Sequence, residues 1–137
     1  MVRPEVLRKR LTKLDEYLAI LNGLRRYTFA EFTADPERYG SAERFLQLAI
    51  EVLIDLGNHV IADLDLGTVD SYSDIPRLLH TAGYIDARMR EVWTRMIGFR
   101  NVLVHDYLDV DRTLVYEALQ QRLGDIESLR RVFAQLL

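Results

Sequence analysis

Between Ser41 and Asp65 the chain is apolar around most of a helical circumference, with Phe45, Leu46, Ala49, Ile50, Val52, Leu53, Ile54, Leu56, Val60 and Ile61 crowding one stretch. At roughly 3.6 residues per turn, the polar residues Arg44, Gln47, Glu51, Asp55, Asn58 and His59 are confined to an arc of about 120°. A helix with so little polar surface has to be enclosed by others. The expected fold is therefore all-α, an antiparallel bundle with this helix at its centre, opened by Ser41 as N-cap. Its narrow polar stripe faces either solvent or an internal cleft. Glu51, Asp55 and His59 are candidate cleft residues. Asp55 and His59 lie four apart and can hydrogen-bond, a pairing more often structural than catalytic.

The other segments read as its neighbours. Leu7, Leu11, Leu14, Leu18, Leu21 and Leu24 recur at three- and four-residue steps, predicting a helix from about Pro4 to Thr28. Asp15 and Glu16 fall on its solvated face. Phe29 to Gly40 is a break, with Asp35-Pro36 as a turn signal. After a loop over Leu66–Ser73, Asp74 and Pro76 open a short helix that Gly83 ends, with His80 on its surface. Asp86 caps a further helix whose apolar side includes Met89, Trp93, Met96, Ile97 and Leu103. Leu108–Asp111 is a connector, Asp111 an N-cap, and Leu114 to Leu136 a last amphipathic helix that Gly124 can kink. Four long helices and one short one form a single domain over residues 1–137.

Composition narrows the function. Cysteine is absent, which removes disulfides, thiolate metal sites and cysteine nucleophiles. The histidines show no zinc-ligand spacing. No uncharged apolar run approaches ~18 residues, and Met1–Lys13 lacks a signal-peptide core, so a cytoplasmic protein without membrane contact is the expectation. The net charge of −3 speaks against a broadly basic nucleic-acid surface, and no DNA partner is expected. Most of the basic residues are arginines, however, which suits a local phosphate site.

The densest chemistry is Arg100-Asn101-Val102-Leu103-Val104-His105-Asp106-Tyr107. It joins a permanent cation, a ring able to move protons and a phenol. On a continuous helix Arg100 and His105 point about 140° apart. They meet only if the helix ends between them or a second copy of the chain supplies the other half. His105 and Tyr107 share a side only in an extended segment. Arg100 follows Trp93 and Met96 by seven and four residues, on the apolar side, where an arginine needs a partner. The plainer reading is structural: Arg100 paired with Asp106, and His105 near helix-end carbonyls. Thr94, Gly98, Asn101 and His105 form an adjacent strip, small at its start, that suits close approach of another helix and self-association.

Arg100, His105 and Tyr107 stand in the pattern arginine, four residues, histidine, one residue, tyrosine. With the phrase RNVLVHDY and the preceding IEVLIDLGNHVIA helix, the chain resembles the HEPN superfamily and, within it, the HepT-like toxins. The likeness extends over most of the chain and is weakest in the terminal helices. It implies the toxin of a type VII-like toxin–antitoxin pair, a metal-independent endoribonuclease that needs no cofactor and works as a homodimer. Arg100 and His105 would be catalytic, with Asn101, Glu51, Asp55 and His59 as possible cleft support. It also implies RNA as substrate and a partner, an MntA-type nucleotidyltransferase antitoxin, which uses ATP to place AMP on the motif tyrosine, here Tyr107. Two other readings stand beside it: a non-catalytic nucleotide-binding or regulatory helical subunit that docks a nucleotidyltransferase, and a plain dimeric scaffold.

Overall fold

The computed structural model describes residues 1–137 as an all-helical bundle. The helices are α1 (Pro4–Leu24), α2 (Phe29–Ala34), α3 (Pro36–Leu64), α4 (Asp74–Thr81), α5 (Ala87–His105), α6 (Arg112–Gln121) and α7 (Leu123–Ala134), with a 3-10 turn at Tyr107–Asp109. As its apolar circumference requires, α3 is central and packs against all six other helices. Its residues Leu46, Ile50, Leu53, Leu56, Val60 and Ile61 are buried. By length and hydropathy α3 would also suit a bilayer, but half of its most apolar window is covered by the rest of the bundle. The leucine seam of α1 is buried from Leu7 to Leu21. Each such side chain contributes about 1.5–3 kcal/mol.

Four boundaries differ from the sequence expectation, each for a local reason. Helix α1 stops at Leu24 rather than Thr28, because Thr28 instead caps α2. Its Oγ1 accepts from the Glu31 N–H at 3.2 Å, while the Glu31 carboxylate accepts from the Thr28 N–H at 3.0 Å, a reciprocal capping box. Those hydrogen bonds hold the Glu31 carboxyl below its ordinary range. The central helix starts at Pro36, not after Ser41: Asp35 is extended, its carboxylate accepts from the Glu37 N–H at 2.9 Å, and proline suits the first helical position. Asp74 does not sit before α4 as a cap. It is the first residue of α4, and its carboxylate accepts from the Asp70 and Ser71 N–H groups, closing the preceding loop.

The last amphipathic stretch is two helices rather than one kinked helix, interrupted at Arg122. The interruption lets α6 pack on α2 while α7 packs on α1 and α5. Tyr116 Oη donates to the Tyr27 carbonyl at 2.8 Å and ties α6 to the α1–α2 linker. Asp15, read as merely solvated, pairs with Arg130 of α7, and His80 is half-buried with Nδ1 3.0 Å from the Ile85 carbonyl.

Candidate active site

The polar stripe of α3 opens partly onto a cleft. Glu51, Ile54, Asp55 and Asn58 of α3, Tyr72 of the α3–α4 loop and Arg100 of α5 line a space of about 300 Å³. Asp86 sets the start of α5 by accepting from the Met89 N–H at 2.8 Å. Met89, Trp93, Ile97 and Leu103 then anchor the helix on the core, which turns Arg100 toward α3.

Arg100 is tightly held. Its side chain is only 14% exposed, and Nε and Nη2 both donate to Oε1 of Glu51, at 3.2 and 3.0 Å. Nη1 donates to Oδ1 of Asn101 at 3.1 Å. Gln47 Nε2 donates to the same Glu51 oxygen at 3.1 Å and fixes that carboxylate in turn. Glu51 and Asn101 are thus the structural partners of Arg100, in place of the Asp106 pairing. A guanidinium carries five N–H donors; with three engaged, one remains on each terminal nitrogen, a fork suited to two oxygens of one phosphate. The Tyr72 ring lies 5.4 Å from the guanidinium carbon, within cation–π range. Nothing in the spacing of the sequence marks Tyr72, since it reaches the cleft from a polar loop.

Asp55 and His59 belong mainly to a different network. Asp55 lines the cleft but accepts from Arg10 of α1, and His59 Nε2 stands 3.5 Å from Asp55. On its other side His59 Nδ1 is 3.3 Å from Arg3, which pairs with Asp63 at 3.1 Å. This chain ties the start of α1 to the end of α3. His59 does not line the cleft.

His105 is the last residue of α5, so the helix runs through both motif residues instead of ending between them. It is exposed and, like Tyr107, outside the cleft of Arg100. Tyr107 is 69% exposed and starts the 3-10 turn, so the extended geometry that would align it with His105 is not adopted. Around this end of α5, Val102, Leu108 and Leu114 are 41%, 84% and 54% exposed, an unusual density of apolar surface beside a polar motif. Gly98, on the same exposed strip as Asn101 and His105, has open space where a Cβ would stand. No three His, Asp or Glu side chains are grouped to hold a metal ion.

An all-α bundle built on one enclosed helix, with the arginine, histidine and tyrosine placed at the end of a neighbouring helix, has the HEPN architecture. Solved structures bear out the fold. The tri-AMPylated Shewanella oneidensis HEPN toxin, in complex with an MNT antitoxin, superposes with a TM-score of 0.89 at 23% identity, covering 97% of this chain and 99% of that one. A cytosolic protein of unknown function, YutE of Bacillus subtilis, superposes with a TM-score of 0.86 at 20% identity, covering 99% and 91%. The chain belongs to the HepT-like ribonuclease family, whose model matches residues 8–133. It is 33% identical over 82 residues to the mRNA nuclease HepT of Shewanella oneidensis, across 60% of this chain and 62% of that relative, so the match spans less than two thirds of it. It is 26% identical over 120 residues to the tRNA nuclease HepT of Aphanizomenon flos-aquae, across 86% of this chain and 80% of that one.

Proposed function

We propose that this chain is the toxin of a toxin–antitoxin pair, an endoribonuclease whose site is assembled from two copies around the α5 motif. The observation that carries this reading is the Arg100 fork: a cation positioned by Glu51 and Asn101 in a cleft, with two donors left for a phosphate. His105 stands about 140° away around the same helix. A second protomer's His105 is therefore the partner the fork requires. The exposed apolar residues beside the motif and the open strip at Gly98 support such a twofold contact.

In this site the 2′-hydroxyl of the RNA attacks the adjacent phosphorus, and the bond to the 5′-oxygen breaks. His105 serves as general base or acid, a role worth about 10²–10⁴ in rate. Arg100 meets the charge that develops on the non-bridging oxygens. Glu51 and Asn101 act through Arg100 as positioning residues, while Asp55 and His59 hold the helix that carries Glu51.

Silencing fits the exposure of Tyr107. A nucleotidyltransferase antitoxin of the MntA type would let the phenol oxygen attack the α-phosphorus of ATP. The α–β anhydride bond breaks, pyrophosphate leaves, and AMP remains on Tyr107. In the two-copy site the added phosphodiester brings a negative charge and a nucleoside against the second protomer's arginine fork and the entry for RNA. Purified protein incubated with total RNA in EDTA should degrade it, and the partner enzyme with ATP should stop it. Tyr107→Phe should escape that silencing. Intact RNA with wild-type protein, together with ATP binding, would instead favour the non-catalytic regulatory subunit.

A further inference from the structure

The cleft of Arg100 accounts for one phosphate, but a second polar groove begins where it ends. Tyr72 lines the first and its neighbour Ser73 the second, where Arg77 of α4 and Arg90, Thr94 and Arg95 of α5 enclose about 390 Å³. Two of the three arginines are neutralised: Arg77 pairs with Asp74 at 3.2 Å and Arg95 with Glu91 at 2.5 Å. Asp74 is further occupied by two backbone N–H groups, which with Arg77 keep its carboxyl below the usual range. Arg90 is exposed and engages no carboxylate, leaving its guanidinium uncommitted in a groove. Arg90 and Arg100 are ten residues apart on one continuous helix, hence about 15 Å along its axis and about 80° around it. That separation is the span of a few nucleotides. Tyr72, 43% exposed, has its ring beside the Arg100 guanidinium, and its chain neighbour Ser73 lines the groove of Arg90.

We propose that this groove between α4 and α5 is a subsite for the single-stranded RNA flanking the scissile phosphate, with Arg90 holding a backbone phosphate and Tyr72 stacking an unpaired base. It rests on the ribonuclease reading and deepens it. An acidic protein needs local rather than global attraction for RNA, and an arginine without a carboxylate partner in the groove, with an aromatic ring at the adjoining cleft, supplies both elements of single-strand binding. Arg90 lies about 12 Å from Gly98 along α5; Thr94, the first residue of the strip assigned to the twofold contact, also lines the groove, so the groove opens at the edge of that contact.

The test is binding of a 2′-O-methyl oligoribonucleotide, which cannot supply the attacking hydroxyl, followed by fluorescence anisotropy across a salt series. The full-length wild type and Arg90→Ala, Tyr72→Ala and Tyr72→Phe are compared. Arg90→Ala should flatten the slope of log K against log salt by about 0.7. Tyr72→Ala should weaken binding about five- to a hundredfold, with Tyr72→Phe close to wild type. Unchanged affinity and slope in both alanine variants would overturn the subsite, as would no binding by the wild type. Cleavage of unmodified RNA by the wild type is read separately. Arg90- and Tyr72-dependent binding without cleavage would remove the nuclease and leave the groove standing.

Discussion

Arg100 donates through two of its nitrogens to one oxygen of Glu51, from a helix 49 residues further along the chain. That oxygen also receives Gln47, so α3 grips the α5 cation through a carboxylate that is itself pinned. A charge-assisted pair of this kind sets orientation as much as energy.

Removing the grip should therefore cost rate more than affinity. Glu51→Ala is expected to lower kcat about ten- to a hundredfold, equivalent to about 1.4–2.8 kcal/mol of transition-state stabilisation, with KM little changed. Glu51→Gln keeps an acceptor oxygen and should retain more activity than the alanine variant. Steady-state cleavage of a fluorogenic oligoribonucleotide reads both.

Gly98 separates folding from association. Nothing stands where its Cβ would project, so Gly98→Ala should stabilise the protomer by up to about 1 kcal/mol through helix propensity. Gly98→Leu should push a second helix away. The expected result is a dimer weakened in analytical ultracentrifugation with helical circular dichroism intact.

Gly57 behaves in the opposite way. A Cβ there would run into Ile75 Cγ2 and stand 3.1 Å from Trp93, where α3 meets α4 and α5. Overpacking of about 1–3 kcal/mol outweighs the helix-propensity gain of about 1 kcal/mol. Gly57→Ala should lower Tm in a thermal melt.

Acid should loosen the join between α1 and α3. The hydrogen bond from Arg3 holds the Asp63 carboxyl below its ordinary range. A carboxylate depressed in the folded state binds fewer protons there than in the unfolded chain. Its contribution is present above the unfolded value of about 3.9 and is lost as pH falls through the lower folded value. The Tm difference between wild type and Asp63→Asn should shrink as pH is lowered through that window.

The fold was readable where one pattern dominated. The enclosed circumference of α3 and the leucine seam of α1 dictate a bundle with α3 inside, and both are buried as expected. The helix starts at Asp86 and Asp111 were equally legible, because each carboxylate has a backbone N–H two or three residues on to accept from. Helix α2 carried a signal in Thr28-x-x-Glu31, a capping box that the break at Asp35-Pro36 obscured. The same Asp-Pro pair marks a turn in one reading and a helix start in the other, and only the extended Asp35 backbone distinguishes them.

The site was legible in part. The spacing of Arg100 placed it on the core side of α5 and demanded a partner, and the α3 stripe contained that partner, Glu51. No periodicity could say that α5 continues to His105, because helix ends depend on the last turn's packing. Tyr72 joins the cleft through the path of a loop, which leaves no repeating trace in a sequence, and Arg90 sits on the exposed side of α5, where nothing in the spacing marks a groove.

Mixing two inactive variants, Arg100→Ala and His105→Ala, and assaying cleavage after subunit exchange interrogates the shared site itself. If each site takes its arginine from one protomer and its histidine from the other, mixed dimers hold one intact site, and activity should return to about a quarter of wild type. Activity that stays at the level of the separate variants, with exchange verified, would contradict a site built from two copies.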